Sequence, residues 1–566
     1  MSLRPQVAVP PVPEQTARVA RAAFRRGNPY MLLRDRLGAV FDDAGFADLY
    51  PKLGQPAYAP WRLALVTLMQ FREGLSDRQA ADAVRSRIDW KYLLALELAD
   101  AGFDFSILCE FRGRLLKHEA GGRLLDRLLD AAREGGMLKA RGRQRTDSTH
   151  VLAAIRVLNR LELLGETMRA ALNAVAAVAP EWLRAVALPD WHERYDHRVE
   201  NPRLPEAEAK REAYAVQVGA DGFLVLDALD RFDAPEEAPA LPAVAVLRRV
   251  WARHFERAAP DDDGVGKGGP AVVRLLPLRT RDDDNRPIDR IESPYDTDAR
   301  FRTRAGREWV GYIAHFTETC DEGAPRLVVH AETTDASVHE AMRIGPIHDA
   351  LAGKGLGPSE HLVDAAYVAA DQIVAARTQH GIDLIGPQRR NMSWQGAASD
   401  AFDVSDFAVD WDERVVRCPE GKQSAAWATY ANRKRPHRCA LVQVRFRPAD
   451  CRACPSRARC TRAAPTRGRY LMLYPRPEHE TLVAARARER TAEYRSLYAQ
   501  RQGIESMMSQ GVRAFGLRRA RYRGLAKAGL QHLATAAALN LDRIAAWLAH
   551  RPLAPTRVSR FAAIAA

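Results

Sequence analysis

Lysine is scarce in this chain: 566 residues include only ten lysines beside 75 arginines. Long apolar runs are missing too, because no stretch approaches 18 uncharged apolar residues, and we therefore expect no segment to span a membrane. The first residues contain prolines and arginines but lack the apolar region of a secretory signal peptide. These absences predict a cytoplasmic protein.

The charge of the chain is strongly one-sided. Its 85 basic residues outnumber 71 acidic ones, which gives a net charge of +14 and a pI near 9.6. A GC-rich genome favours arginine over lysine but does not account for a net excess. A polyanionic partner does, because contacts to phosphates release counterions. A hydrophobic content of 47% and a charged content of 28% indicate a globular protein, and the length predicts two to four domains.

Seven cysteines are an odd number, which argues against a framework of disulfides and for a reducing compartment. Cys451, Cys454 and Cys460 form a C-x₂-C-x₅-C pattern, and Cys418 is the natural fourth thiolate. Such spacing predicts a structural Zn²⁺ site, because two close thiolates can reach one tetrahedral ion. Cys439 and His437 replace Cys418 in an alternative ligand set, and reduced thiols without a metal are the other interpretation.

Composition and periodicity divide the chain into five predicted parts. They are a flexible arm (1–30), a helical N-terminal domain (31–140), a mixed α/β core (141–390) interrupted by a helical and irregular insertion (151–295), a Cys-rich insert (391–480), and a helical C-terminal region that completes the core (481–566).

The N-terminal domain carries clear helix boundaries. One helix is predicted to end at Gly74, and Ser76 with Gln79 forms a capping box that begins the next. A third helix is predicted with Ser106 as its N-cap. Short helices with arginines on their polar faces suit a helix-turn-helix-like DNA reader. A helical bundle with solvated charged faces is the alternative.

Two aspartates end predicted strands of the core: Asp147 in RTDSTHV and Asp364 in HLVDAAYV. Strand ends of an open α/β sheet face its usual crevice, and an acid in an apolar strand is costly unless it binds something. Glu505 is the candidate third acid of an oxygen-ligated cation site. Singly, a strand-end Asp is more often a cap, and a Glu near an Arg is more often a surface ion pair.

One helix is predicted to carry Tyr498, Arg501 and Glu505 on a single face, because they are three and four residues apart. A phenol, a guanidinium and a carboxylate suit a phosphate and a metal better than a core. Downstream, Tyr522 lies among arginines predicted to contact phosphates, namely Arg518, Arg519, Arg521 and Arg523.

The chain resembles bacterial insertion-sequence transposases of the DDE type. The resemblance covers nearly everything beyond residue 30. It rests on PAYAPWRLALVTLMQFREGLSDRQAADAV, FRGRLL, RTDSTHV, SPYDTDARF, GYIAHFTETCD, HLVDAAYV, the Cys-rich insert and GIESMMSQGVRAFGLRRARYRGL. It implies an RNase H-like catalytic domain and a helical N-terminal domain.

The resemblance further implies that Asp147, Asp364 and Glu505 are catalytic acids that hold two Mg²⁺ ions, with Mn²⁺ as a substitute. Its expected substrates are the terminal inverted repeats of an element and target DNA, both double-stranded, bound by a homodimer at the nucleoid. Tyr498, Arg501 and Glu505 match the spacing of the family's Tyr, Arg and Glu. Position 512 is Val where the family has Lys, and Arg513 follows it.

Two other functions remain open on sequence alone. One is an RNase H-fold endonuclease of another class, such as a resolvase-like enzyme. The other is a catalytically inactive DNA-binding remnant or regulator.

Overall fold

The computed structural model describes residues 2–6, 8–258, 272–279, 288, 290–304, 306–389, 393–398, 400–430, 440–551 and 564.

The N-terminal domain is helical, as predicted. Its helices are α1 (Glu14–Ala23), α2 (Pro29–Leu37), α3 (Pro60–Glu73), α4 (Asp77–Ser86), α5 (Ile88–Leu93), α6 (Ser106–Lys117) and α7 (Arg123–Glu134). Gly74 ends α3 in the left-handed conformation, with φ of 69°, and the Ser76–Gln79 capping box begins α4. Ser106 is the first residue of α6 rather than its cap: the Ser106 N–H donates to Asp104 Oδ1 at 2.9 Å.

The first 30 residues, expected to be a flexible arm, contain α1. Thr16 on this helix donates its hydroxyl to the Leu96 carbonyl at 2.8 Å, and Ala20 packs with Met31 and Tyr92. The prolines of this segment precede the helix, and Pro13 is its N-cap. A proline at that position does not remove a helical hydrogen bond.

Strand β1 (Arg143–Leu152) leads into a large insertion. It contains α8 (Arg160–Val178), α9 (Pro180–Val186), α10 (Pro189–Tyr195), α11 (Glu208–Leu229), α12 (Pro242–His254), β2 (Phe255–Ala258) and β3 (Val272–Leu275). The insertion has a hydrophobic core of its own that includes Trp191 and Trp251. The insertion was expected to be partly irregular, but residues 242–254 form the helix α12, whose apolar residues recur at helical spacing and pack against α8.

A mixed six-stranded sheet forms the centre of the molecule. Its other strands are β4 (Arg300–Arg304), β5 (Arg307–Thr319), β6 (Val328–Asp335), β7 (Glu360–Val363) and β8 (Asp383–Ile385), with α13 (Ile344–Gly353) and α14 (Ala370–His380) between them. The order is β4–β5–β1–β7–β8, and β6 also pairs with β5. Strand β1 is antiparallel to β5 and parallel to β7, and β7 is parallel to β8.

Strands β5 and β6 form an antiparallel pair within the part of the chain predicted to be the mixed α/β core. Strand β1 was expected to end at Asp147 but continues to Leu152, because residues 148–152 pair with residues 311–315 of β5.

The Cys-rich insert is a small β structure. It contains α15 (Trp394–Ala397), β9 (Ala408–Asp410), β10 (Val415–Arg417), β11 (Ala426–Tyr430), β12 (Leu441–Arg445), α16 (Pro448–Arg452), α17 (Arg457–Cys460) and β13 (Tyr470–Leu473). Seven buried hydrophobic residues, among them Phe407 and Phe446, form its core.

The chain ends with four helices: α18 (Arg476–Glu489), α19 (Ala492–Ala499), α20 (Gly503–Phe515) and α21 (Leu525–Leu548). Helix α21 contacts α2, α3 and α7 of the N-terminal domain and also β6 of the sheet. Asn540 pairs with the Val328 backbone through two hydrogen bonds of 2.8 Å. One continuous core thus joins the N-terminal helices, the sheet and α21. In the described part of the chain, no helix has the length and apolar character needed to cross a membrane.

Candidate active site

Asp147 lies on β1 at the centre of the sheet, and Asp364 directly follows the neighbouring strand β7. Thr146 of β1 is opposite Val363 of β7, and each aspartate is the next residue of its chain segment. Their side chains are 15% and 21% exposed, so both reach solvent from a mostly buried position. Asp364 accepts the Ala366 N–H at 2.8 Å, which fixes the turn after β7. The fold brings these two acids together.

One face of β1 is covered by the C-terminal part of the chain. Alternate residues of the strand make these contacts: Arg145 to the Gln500 carbonyl, Asp147 to Arg501 and Thr149 to Arg518. Gly503 lies against the Arg145 guanidinium, and a Cβ at that position would overlap it. The strand that carries the first aspartate and the segment that carries Arg501 are therefore built as one unit.

Tyr498, Arg501 and Glu505 do not share one helix, so that prediction is wrong. Tyr498 lies at the end of α19, Arg501 in a 3₁₀ turn (Gln500–Gln502), and Glu505 in the first turn of α20. Arg501 still contacts two of the acids: its Nη2 is 2.8 Å from Asp147 Oδ2 and its Nη1 is 3.8 Å from Glu505 Oε1. The Glu505 side chain is 70% exposed.

The electrostatics of the site favour a cation between the aspartates. Burial raises the pKa of Asp147, Arg501 opposes this, and the charge of Asp364 raises the pKa again. Burial likewise raises the pKa of Tyr498, and the negative charges of both aspartates raise it further. The Tyr498 ring stacks on Tyr494 with centroids 5.5 Å apart. A positive charge between Asp147 and Asp364 would relieve the repulsion between their carboxylates.

Sequence reasoning missed Arg304 of β4 and Tyr367. Arg304 Nη2 is 3.6 Å from Asp364 Oδ2, and its Nη1 is 2.8 Å from the buried Glu340 carboxylate. Tyr367 is fully buried with its hydroxyl 2.6 Å from His315 Nδ1, and burial raises its pKa. Tyr367 could have been identified from the sequence, because it lies only three residues after Asp364. Nothing in the sequence distinguishes Arg304 from the many other arginines.

Part of the site fits a divalent ion. Asp147 and Asp364 offer adjacent carboxylate oxygens, the donors that Mg²⁺ prefers. Glu505 lies beyond Arg501, and among the described residues no group of three or more His, Cys, Asp or Glu side chains is arranged to hold a metal. The aspartate pair therefore fits an ion as it is, but a three-carboxylate site requires the Arg501 and Glu505 side chains to move.

Four cysteines of the insert line one cavity of about 370 Å³; they are Cys418, Cys451, Cys454 and Cys460. Burial raises the pKa of the Cys460 thiol, and the charges of the other three raise it further. Two of the sulfurs accept backbone N–H groups: Lys422 N is 3.3 Å from Cys418 Sγ, and Arg469 N is 3.2 Å from Cys451 Sγ. The fold thus gathers the four thiols that the spacing predicted.

These thiols do not form a metal-ligand geometry in the described structure. The alternative ligands Cys439 and His437 lie outside the described residues. The donor set itself, four sulfurs in one cavity, is of the kind that binds Zn²⁺.

The arginine cluster of the tail is partly internal. Arg518 donates to Thr149 at 2.9 Å. The Arg112 guanidinium lies 5.6 Å from the Tyr522 ring centroid, so Tyr522 contacts the N-terminal domain instead of projecting for a nucleic-acid base. The Arg521 guanidinium covers the Phe71 ring but is exposed on its other side. The remaining predicted phosphate contacts are exposed: Arg513, Arg519 and Arg523.

Comparison with protein families finds two matches. The family described as Transposase domain (DUF772) matches residues 20–114, and the family described as Transposase DDE domain matches residues 417–545. The second match includes Glu505, whereas Asp147 and Asp364 lie between the two. No curated protein and no solved structure matches the chain.

Proposed function

We propose that this chain is a DDE-type transposase of the insertion-sequence kind and that Asp147, Asp364 and Glu505 cut and rejoin DNA; the matches to a transposase DDE domain and to a transposase domain support this. The substrates are the terminal inverted repeats of an element and the target DNA into which it moves. The observation that carries this proposal is the side-by-side position of Asp147 and Asp364, with Arg501 between Asp147 and Glu505.

The three acids would hold two Mg²⁺ or Mn²⁺ ions, which lower the pKa of an attacking water or hydroxyl and place positive charge at the leaving oxygen. Arg501 now pairs with Asp147. Once a metal ion pairs with the Asp147 carboxylate, the Arg501 guanidinium is free to bind a phosphate with two hydrogen bonds. Release of Arg501 also lets Glu505 turn toward the aspartates.

The surrounding side chains hold the reacting strand. Arg304 lies beside Asp364 with its side chain 41% exposed, so it can contact a phosphate that enters over β4. Tyr498 lies beside both aspartates and offers a ring face and a hydroxyl. Neither a serine nor a cysteine nucleophile is needed. Water cuts the element end, and the freed 3′-hydroxyl attacks the target phosphate in a second in-line displacement.

The Cys-rich insert is proposed to hold one structural Zn²⁺ through Cys418, Cys451, Cys454 and Cys460. The shared cavity and the backbone N–H groups on two sulfurs support this, because such bonds favour the thiolate form that binds the ion. Two copies of the chain on paired element ends complete the proposed assembly.

The test uses purified full-length protein and a DNA duplex that carries the gene's flanking repeats. Cleavage at the repeat end is expected with Mg²⁺ or Mn²⁺. Ca²⁺ is expected to permit binding without cutting, because its looser oxygen shell misplaces the attacking group. Cutting in excess EDTA would contradict the metal-dependent mechanism. Cutting at branched DNA without preference for the repeats would favour the resolvase-like alternative.

A further inference from the structure

A cavity of about 680 Å³ lies where the large insertion meets the sheet. Its walls come from the segment after β1, from α8 and from the SPYDTDARF motif, and Arg523 of the tail closes one side. No function has been assigned so far to the insertion or to this motif. The volume lies in the range of sites that bind ligands.

Among the residues that the structure describes, four arginines and one acid, Glu166, line this cavity; the arginines are Arg156, Arg169, Arg198 and Arg523. Glu166 is already engaged, because it accepts the Val199 N–H at 2.6 Å and the Tyr295 hydroxyl at 2.5 Å. The cavity therefore carries a net positive charge that its own carboxylate does not balance.

The arginines differ in how they are held. Arg156 pairs with Glu162 at 2.8 Å. Arg169 Nε is buried and makes no hydrogen bond, and its closest carboxylate oxygen, on Glu166, is 3.5 Å away. Arg198 and Arg523 are exposed and form no ion pair with any carboxylate that the structure describes. The Arg523 guanidinium instead lies 5.2 Å from the Tyr295 ring centroid.

The position of the cavity relative to the aspartates is set by β1. Ala153 lines the cavity and follows Asp147 by six residues along extended chain. At roughly 3.3 Å per residue this separation is about 20 Å, or about six base pairs at the 3.4 Å rise of B-form DNA. Arg518, bound to Thr149 of the same strand, lies between the two places.

We propose that this cavity binds the phosphodiester backbone of the DNA strand that leaves the active site, about six nucleotides from the cut. Arg198 and Arg523 contact the phosphates, and Arg169 supplies the buried donor. This inference rests on the proposed function, because the strand is held by a catalytic centre at Asp147. It assigns the large insertion a part in positioning DNA.

The experiment measures DNA affinity of the full-length protein across salt concentrations. Arg198→Ala/Arg523→Ala is compared with the wild type and with Arg184→Ala/Arg203→Ala, which removes two exposed arginines of the insertion that do not line the cavity. Each phosphate contact contributes about 0.9 to the slope of log affinity against log salt. The cavity variant is expected to lose about 1.8 from this slope, and the control is expected to keep it. Thermal melting checks that both variants are folded.

A second measurement locates the contact. Neutral methylphosphonates placed five to seven nucleotides from the cut should weaken binding by the wild type but not by the cavity variant. An unchanged slope in a protein that still cuts DNA would overturn the role of the cavity and leave the transposase function intact. If the wild-type protein binds DNA through both arginines but never cuts it, the cavity keeps its role as a DNA contact and the transposase function is overturned. Stabilisation by inorganic phosphate alone, with an unchanged DNA slope, would make this a small-anion site and overturn the proposal.

Discussion

At the scale of single residues, the site is a set of acids held by arginines. Asp147 pairs with Arg501, Glu505 lies at the other end of the same guanidinium, and Asp364 faces Arg304. The arginines neutralise the carboxylates in the free protein and occupy positions near where metal ions would bind. Binding of the proposed ions would thus exchange one set of positive charges for another.

Replacing Asp147 or Asp364 by Asn should reduce DNA cleavage by roughly 10³-fold or more, because the charge that positions and stabilises the reacting phosphate is lost. DNA affinity should be retained, since the change removes negative charge. Gel-shift and cleavage assays on the same preparations make the comparison. Asp349→Asn, at a side chain that is 72% exposed on α13, is the matched control. Full cleavage by either variant would remove that residue from the site.

Glu332 on β6 should make the fold sensitive to acid. Burial opposes its ionisation, but two hydrogen bonds from Arg343 and the nearby His330 lower its pKa to about 2. A lowered carboxyl pKa gives stability above the ordinary value near 4.5 that is lost as the pH falls through 2. Glu332→Gln should therefore lower the free energy of unfolding by about 3 kcal/mol at pH 7 and by little at pH 2. Denaturant titrations at both pH values test this, and equal losses would contradict it.

The neighbouring positions of the two aspartates could be predicted, because both were expected at strand ends of one α/β sheet. The position of Arg304 beside Asp364 could not be predicted, because it depends on how β4 pairs with β5 and how β5 pairs with β1. Such register is a long-range property. Glu505 stays a prediction as the third acid, and its 70% exposure could not be predicted from the motif.

At the scale of elements, a buried ionic group joins β1, β5 and α21. Glu318 is fully buried and pairs with Arg145 and with Arg543, each at 2.6 Å. Arg145 also donates to the Gln500 carbonyl, the residue just before Arg501. The guanidinium of Arg145 therefore fixes the 3₁₀ turn that positions Arg501 against Asp147.

Arg145→Lys should fold but lose cleavage, because an ammonium cannot make both contacts of the planar fork. We expect DNA affinity near that of the wild type and a much lower rate at saturating DNA, since positioning is lost and not binding. Arg72→Lys, in the half-buried pair with Asp542, is the control. If the cleavage rate falls in proportion to the loss of stability in both variants, Arg145 has only a structural role.

Cys451→Ser should release the proposed zinc and make the Cys-rich insert sensitive to protease. Cys451 lies at the end of a short helix and its sulfur accepts the Arg469 N–H, so it links both halves of the insert. The main core should stay folded because the insert has its own. Metal analysis of wild type and variant, with Cys109→Ser as an exposed control, is the measurement. A zinc-free, fully active wild type would leave these cysteines as reduced thiols.

Helix boundaries with local chemical signals could be predicted, and those set by tertiary packing could not. Gly74 and the Ser76–Gln79 box mark their helices by backbone preference and side-chain capping. Nothing local marks the 3₁₀ turn at residues 500–502, which follows from the buried Arg145 contact. Helix α12 was missed because a proline- and acid-rich segment precedes it.

At the scale of the whole molecule, the main hydrophobic core and the separate cores of the two insertions predict three cooperative folding units. The N-terminal helices, the sheet and α21 share a core, whereas the large insertion and the Cys-rich insert each have their own. Deletion of residues 31–140 would expose α21, so DNA recognition by those helices has to be tested by surface substitutions.

Hydrogen exchange should show this division. Leu539→Ala, at a fully buried position of α21, should speed exchange in α3 and in β6 together, because they lose the same packing partner. Exchange in α8 and α12 should be unaffected. The reciprocal variant Val250→Ala, in the core of the large insertion, should do the opposite. Faster exchange everywhere in either variant would mean a single cooperative unit.

The place of α21 in the fold has a consequence for biosynthesis. Helices α2, α3 and α7 emerge first from the ribosome, but the helix that covers them is made only at residues 525–548. Until then the parts of their apolar surfaces that face α21 have no native partner, although α2 already packs against α5 and α3 against α4 and α6. Exposed apolar surface of this kind favours aggregation during synthesis. A prematurely terminated polypeptide that retains the first domain and lacks α21 would keep this apolar surface exposed.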